Sequence, residues 1–364
     1  MSLEEIYKNK TVIVTGLTGF KGSWLALWLL KLGAKVIGIS LDPPSKPSHF
    51  ISLNLWQNIE DIRLDIKEYE KVDKIFKKYK PDFVFHLAAQ AIVSKSYINS
   101  ISTWQTNVIG TLSILEALKK IEHKCSAIFI TSDKCYENLE WCWGYRETDK
   151  LGGKDPYSSS KAAAEIAISS YTRSFFSKEN CPVNISSTRA GNVIGGGDWA
   201  PDRIVPDCIK AWSNKETAIL RRPTATRPWQ HVLEPLSGYL FLGGELFSHK
   251  RFNGESFNFG PNSNNLQSVR DLVVNMKKYW NNADYIEAET EGNFHEAGLL
   301  KLNCDKALTL LNWRSILSFD KTIEMTSKWY FAYSKNPKDT LSISMQNILD
   351  YTELAKEENI IWAI

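Results

Sequence analysis

T-V-I-V-T-G-L-T-G-F-K-G-S-W-L-A-L-W-L-L-K-L-G, residues 11–33, reads as a strand, a glycine turn and a helix in direct succession. Residues 11–16 form a short apolar run rich in β-branched side chains, the pattern of a parallel strand covered on both faces. Gly16, Gly19 and Gly22 follow. Glycines between a strand and a helix let the backbone approach a pyrophosphate, and the helix start adds N–H donors and a favourable dipole. Thr18, Phe20 and Lys21 belong to the same candidate cofactor turn, and Gly33 closes the helix as a C-cap would. The plainer alternative is a tight turn in a sheet protein that holds no nucleotide; the flanking strand and helix weigh against it.

The rest of the first half repeats the pattern. Residues 35–40 are a second strand ending at Ser40, with Asp42 two residues on and no arginine until Arg63. An acidic residue near this strand end holds a ribose, and no arginine clamp for a 2′-phosphate is evident, which favours NAD over NADP. The run 59–66 ends in Asp65 and Ile66; Asp65 either meets an adenine amino group or caps a helix over 67–79. Residues 83–89 form a fourth strand. Its end, Leu87, Ala88, Ala89 and Gln90, is small enough for close cofactor approach, whereas His86 reads as a satisfied core residue. A helix is expected over roughly 98–120. Asn107 is unfavourable in mid-helix and so suggests a local hydrogen-bonding task.

Residues 126–132 are a fifth strand that delivers Ser132, Asp133 and Lys134 to its carboxyl end, where ligands of open α/β sheets bind. Y-S-S-S-K follows at 157–161. Tyr157 and Lys161, four apart on a helix running to about 178, share one face. A lysine ammonium beside a phenol favours the phenolate, so the tyrosine is expected to act as a base well below its usual value of about 10. Hydroxyl, carboxylate, amine and activated phenol together suggest proton and hydride chemistry on an alcohol. With a sixth strand at 183–189, the fold class is α/β, a doubly wound parallel sheet.

Composition narrows the alternatives. The 364 residues exceed one small core and suit a large domain with a smaller partner. A formal charge of +3, with Lys and Arg scattered, argues against nucleic acid or an anionic membrane as partner. No apolar run is long enough to span a bilayer, and the amino terminus does not read as a signal peptide. The six cysteines include no C-x-x-C pair, so neither a zinc site nor a disulfide framework is expected, and reduced thiols suit a cytoplasmic enzyme. No metal site is expected. Several of the thirteen tryptophans fall in loops, where they either line a sugar or base site or are buried.

After Arg189 the chain turns glycine-rich, then basic over 220–232. Arg221, Arg222 and Arg227, with prolines fixing the backbone, suit a diphosphate, against the alternative of solvated surface arginines. A helix near 234–247 and a strand at 256–260 return to the large domain. The expected division is 1–191, with returning segments near 231–261, for the dinucleotide, and 192–230 with 262–364 as a mostly helical substrate lobe.

T-G-x-T-G-F-x-G, H-L-A-A-Q, the T-S-D strand end and Y-S-S-S-K together resemble the extended short-chain dehydrogenase/reductase family, a Rossmann fold, over nearly the whole chain. More narrowly the chain resembles the nucleotide-sugar 4,6-dehydratases. S-L-D-P-P, T-S-D-K-C-Y-E-N and R-P-W-Q-H-V-L-E-P-L-S-G-Y-L are similar to the branch acting on CDP-glucose. The resemblance implies a tightly held NAD and a CDP-glucose substrate. Tyr157 would take the 4-hydroxyl proton, Lys161 would bind the nicotinamide ribose, Ser132 would hold the 4-oxygen, and Asp133 would act as acid for loss of the 6-hydroxyl. Many relatives carry Glu where this chain has Lys134, so Lys134 is either the C5 base, with a lowered pKa, or an enolate stabiliser. Asn192, Arg203, Arg221, Arg227 and His231 would contact substrate. A homodimer or homotetramer through helices 98–120 and 157–178 is implied. The competing readings are a dehydratase for dTDP-glucose or GDP-mannose, a nucleotide-sugar 4-epimerase or reductase, and a catalytically silent NAD-binding regulator.

Overall fold

The computed structural model describes residues 2–262, 267–288 and 298–364. Seven strands form one sheet: β1 (Thr11–Thr15), β2 (Lys35–Ser40), β3 (Glu60–Arg63), β4 (Phe83–His86), β5 (Cys125–Ile130), β6 (Val183–Ala190) and β7 (Ser256–Phe259). Their spatial order is β7-β6-β5-β4-β1-β2-β3, and every pairing is parallel. The order reverses at β1, which lies between β2 and β4. Chain connections leave β1 and β4 for opposite faces there, and a crevice opens beyond their carboxyl ends.

Alternation along each strand feeds two cores. Val12 and Val14 of β1 join a cluster with Phe83, Phe85 and Ile128, packed by Trp24, Leu25 and Trp28 of α1 (Phe20–Lys31). Ile13 faces the other way, with Ile37, Val84, Ala127 and Ile185. That side is covered by α2 (Tyr69–Tyr79), α3 (Gly110–Leu118) and α4 (Pro156–Tyr171). All residues of β5 and β6 are buried, as expected for strands covered on both faces.

Several boundaries differ from the sequence expectation. The fifth strand stops at Ile130, so Ser132–Lys134 lie on the turn beyond it. The helix after Asp65 starts at Tyr69 rather than 67, because the Asp65 carboxylate takes the Lys67 N–H (3.0 Å) and holds a separate turn. The helix expected over 98–120 is broken into Val93–Ile98, Ser100–Trp104, a π-turn at Gln105–Ile109, and α3. Asn107 sits in the π-turn. It accepts from the Gln90 N–H (2.8 Å) and donates to the Gln90 carbonyl (3.1 Å) and to Ser160 Oγ (2.8 Å). α4 likewise passes into a π-turn at Thr172–Phe176. Its start is set by Asp155, which accepts from Ser158 N (2.9 Å), with Pro156 in the first turn.

The carboxyl-terminal helices share the main core. Trp313, Trp329, Tyr330, Tyr351 and Trp362 belong to the same cluster as α1 and as α6 (Leu233–Ser248), which follows α5 (Ile204–Ser213). Eight tryptophans (24, 28, 199, 212, 229, 313, 329 and 362) are buried in that cluster, so burial explains most of the unusual tryptophan content. Glu234, at the start of α6, is the polar clamp of this packing. It accepts from Ser315 Oγ (3.0 Å), Ile316 N (2.9 Å), Leu317 N (2.6 Å) and the Tyr351 hydroxyl (2.7 Å), all inside the protein. Glu234→Ala strands these buried donors and is expected to cost about 2–4 kcal/mol in chemical denaturation. An unchanged midpoint would show that water replaces the carboxylate freely.

Candidate active site

The glycine turn is packed too tightly for side chains. Gly16 adopts φ +72°, and a Cβ there would stand 2.7 Å from Ala88 N, the backbone just beyond β4. A Cβ on Gly22 would stand 2.2 Å from the Gly16 carbonyl oxygen. Gly19 is the N-cap of α1 and supplies no side-chain cap, so the first N–H groups of the helix remain donors for an anion. Thr18 ties the turn to the end of β2: its N–H meets Ser40 Oγ (3.3 Å) and its hydroxyl donates to the Leu41 carbonyl (3.0 Å). His86 is held inside the sheet between Thr15 Oγ1 (2.8 Å) and Thr111 Oγ1 (3.1 Å), a structural histidine.

At the far end of the crevice stands the arginine that the sequence places next after β2. Arg63 lies distant in sequence from β2, yet parallel pairing of β2 with β3 sets it opposite Ser40. Its guanidinium donates to the Leu41 carbonyl (2.7 Å) and Asp61 (2.7 Å), with Asp42 3.9 Å away. An arginine does stand at this end, but its fork is already engaged. Asp65 pairs locally with Lys67 (3.2 Å), and Ile66 packs against Gly110, where an added Cβ would stand 2.4 Å from it.

The chemistry-bearing residues converge beyond β5. Ser132 donates to Asp133 Oδ1 (3.0 Å) and accepts from Lys134 N (3.2 Å), and its hydroxyl acts to lower the pKa of the Tyr157 phenol. Burial pushes the Asp133 carboxyl above its ordinary range, against the pull of Lys134, the Ser132 hydroxyl and Lys21. The backbone at Gly191 passes so close that a Cβ would lie 3.2 Å from Asp133 Oδ2, which places the loop carrying Asn192 beside the acid. Lys161 reaches towards the Ile130 carbonyl (3.5 Å), and burial lowers its pKa to about 8. Lys21 is lowered to about 8 by burial and by Arg203, while Asp133 and Asp198 oppose the shift. Arg203 itself is held by Asp198 (2.7 Å) and faces the Tyr157 phenol.

Tyr157 does not match the expected phenolate. Burial pushes it up to about 12, and the groups that oppose this are Ser132 and Arg203. Four-residue spacing did bring Tyr157 and Lys161 onto one buried face of α4, but the ammonium extends down the helix towards Ile130. Burial therefore outweighs charge attraction, and the phenol is neutral in the free chain.

Other expected contacts scatter. His231 is fully buried, its ring beside Trp24 at 6.2 Å between centroids, and does not open onto the crevice. Arg221 is exposed near Asp202 (3.5 Å) and lines a separate cavity of about 470 Å³ with Asp207, Cys208, Glu216 and Thr217. Arg227 donates to the Thr226 (2.8 Å) and Gly298 (3.1 Å) carbonyls. Asp198, which holds Arg203, was missed; its setting among three glycines carries no readable signal of an ion pair.

A doubly wound sheet with a glycine turn, a Ser-Tyr-Lys set and a buried acid defines a short-chain dehydrogenase/reductase acting on nucleotide sugars. The chain belongs to the GDP-mannose 4,6 dehydratase family, whose model matches residues 13–326. It is 43% identical to the CDP-glucose 4,6-dehydratase of Salmonella typhimurium over 96% of this chain and 98% of that one. Among solved structures, an epimerase from Methanothermobacter thermautotrophicus superposes with a TM-score of 0.80 at 23% identity, covering 93% of this chain and 97% of the other. A dTDP-glucose 4,6-dehydratase from Bacillus anthracis, solved in complex with NAD, gives 0.73 at 23% identity, covering 92% and 99%. These two share the fold.

A near-ultraviolet titration tests the state of the phenol. The difference between wild type and Tyr157→Phe is expected to show no phenolate at about pH 10, where an ordinary tyrosine is half ionised. A step there would mean that the cations overcome burial.

Proposed function

We propose that the chain converts CDP-D-glucose to CDP-4-keto-6-deoxy-D-glucose and water, with NAD returned unchanged after each cycle. The observation that carries this reading is the buried acid Asp133, which accepts from Ser132 Oγ (3.0 Å) at the strand end that also faces the buried Tyr157. A 4-epimerase needs the serine, tyrosine and lysine but no acid to expel a hydroxyl. The 43% identity to a CDP-glucose 4,6-dehydratase supports the same reaction and base.

The residues fit a dinucleotide. Gly16, Thr18, Gly19, Phe20, Lys21 and Gly22 would hold the pyrophosphate at an uncapped helix start. Asp65 and Ile66 would border the adenine, Leu87 to Gln90 with Asn107 the nicotinamide side, and Lys161 the nicotinamide ribose. NAD, when bound, supplies a positive ring near Tyr157 and the hydride acceptor and donor for C4 and C6. Once the positive charge of the bound cofactor favours its phenolate, Tyr157 would take the 4-hydroxyl proton while Ser132 holds the 4-oxygen. Burial raises the Asp133 pKa, which favours the protonated form that would give its proton to the departing 6-hydroxyl. Lys134, beside Asp133, serves C5 either as the amine that takes the proton or as the ammonium that neutralises the enolate. Asn192 and Arg203 contact the sugar diphosphate from the substrate side, with Arg227 further out.

In this reading, residues 1–191 with 231–261 carry NAD, and 192–230 with 262–364 carry the nucleotide sugar. The chain acts in the cytoplasm, consistent with six free cysteines. It acts as a homodimer. Ile98, Ile101, Trp104 and Ile109 on the segments before α3, with Ile166 on α4 and Phe175 after it, are exposed apolar side chains on the helices expected to pair.

Three measurements test this. Incubation with CDP-glucose, dTDP-glucose and GDP-mannose is expected to yield a product lighter by one water from CDP-glucose alone. Tyr157→Phe and Asp133→Asn should each lower turnover about 10²–10⁴-fold. Epimerised, undehydrated product would overturn the reading. In light scattering the chain should have twice its own mass, and Ile101→Asp with Ile166→Asp should halve it; a wild-type monomer would sink the dimer.

A further inference from the structure

Asp61 and Arg63 form a pair at the outer end of the cofactor crevice that none of the steps above uses. They stand two apart on β3 and so share one face of the sheet. Pairing with β2 sets Asp61 opposite Gly38 and Arg63 opposite Ser40. The guanidinium is held from several sides. Its Nη1 donates to the Leu41 carbonyl (2.7 Å) and its Nη2 to Asp61 Oδ2 (2.7 Å). Its Nε lies 3.9 Å from Asp42 Oδ1, and its central carbon lies 5.1 Å from the middle of the Phe50 ring. The Leu41 carbonyl also accepts from Thr18 Oγ1 (3.0 Å). One shared acceptor therefore ties the arginine to the glycine turn.

Asp61 is committed to this pair. Its second oxygen, Oδ1, is buried with no hydrogen-bond partner among the described residues. Buried polar atoms are normally bonded, so the carboxylate gains nothing there except Arg63. The Asp61 side chain is 16% exposed and that of Arg63 35%, so water screens the pair less than an open surface pair. In parallel sheets of this kind the ribose of a dinucleotide lies beyond the second strand. An acid there accepts from its 2′-hydroxyl, whereas an arginine there receives the 2′-phosphate of NADP. This chain carries both, Asp42 and Arg63, but the arginine is occupied. Two carboxylates, at 42 and 61, flank one guanidinium, so this end of the crevice is net negative where a phosphate would bring more negative charge.

We propose that Asp61 is a specificity-determining residue for the cofactor: by occupying the Arg63 fork it denies that fork to a 2′-phosphate and keeps the site for NAD. The Leu41 carbonyl acts in the same sense, but Asp61 is the partner that a substitution removes. The proposal rests on the reading of the glycine turn and the end of β2 as a dinucleotide site, and is independent of the sugar nucleotide.

The test reads which nucleotide the full chain retains. Protein is brought to exchange equilibrium with equal concentrations of NAD and NADP and freed of unbound nucleotide. The retained nucleotides are then separated by chromatography. Wild type should hold NAD in large excess. Asp61→Ala should raise the ratio of NADP to NAD about tenfold, the worth of a hydrogen bond between a charged fork and a phosphate. Asp61→Asn keeps the shape of the side chain and serves if the alanine variant does not fold. Its amide oxygen still accepts from Arg63, so its rise should be smaller. Asp61→Ala/Arg63→Met should lose the gain, because the gain needs the guanidinium. An unchanged ratio in the folded Asp61 variants, the result expected of a mere strap within β3, overturns the proposal. An equal rise in the absence of Arg63 also overturns it. Wild type that retains neither nucleotide would instead sink the reading of the crevice as a dinucleotide site, and the proposal with it.

Discussion

Desolvation at the carboxyl edge of the sheet is the constraint on which this site depends. Asp133, Tyr157, Lys161 and Lys21 are each pushed towards their neutral forms by burial, the carboxyl and phenol upward and the two amines downward. In water these groups would be fixed acids and bases with ordinary strengths. Packed together, each has its pKa moved by burial and, for Asp133, Tyr157 and Lys21, by the charges of its neighbours. A dehydration that borrows and returns a hydride needs groups of this kind. In the proposed reaction the phenol would release a proton and recover it, and the acid would hold its proton until a hydroxyl leaves.

The sheet creates this setting through its topology. Parallel order puts the ends of β1, β4, β5 and β6 on one edge, and reversal at β1 opens the crevice between them. Close approach of the Gly16 turn to Ala88 fixes the cofactor side, and Gly191 beside Asp133 fixes the substrate side. The carboxyl-terminal helices contribute by sealing. Their aromatic side chains share a core with α1, and the Tyr330 hydroxyl donates to the Asp198 carbonyl (2.5 Å), steadying the loop that holds Arg203. Membership of a 4,6-dehydratase family therefore agrees with a site whose distinctive part is the acid.

Much of this was legible in the chain because it is local. A strand, a glycine turn and a helix announce themselves within 23 residues, 11–33, since the turn's φ and the helix start are short-range properties. Tyr157 and Lys161 share a face through helical spacing alone, and Asn107 was conspicuous because an asparagine is out of place in a helix. Less local features were misread. Arg63 reached the end of β2 through strand pairing across more than 20 intervening residues. His231 went into the core, and Arg221 and Arg227, six residues apart, went to different partners, Arg221 to Asp202 on the surface and Arg227 to the Thr226 and Gly298 carbonyls.

Spacing and residue type in the sequence determined the parallel α/β class, the glycine turn, and the grouping of serine, acid and lysine at one strand end with tyrosine and lysine on one helix. These depend on backbone geometry over a few residues. Protonation was decided by the tertiary structure alone. Whether Tyr157 is a phenolate depends on how much water the surrounding elements exclude and where the cations finally point, and both are sums over residues far apart in the chain. Burial outweighed charge at Tyr157, and Lys161 extends towards the Ile130 carbonyl, because packing between α4 and the sheet sets those distances.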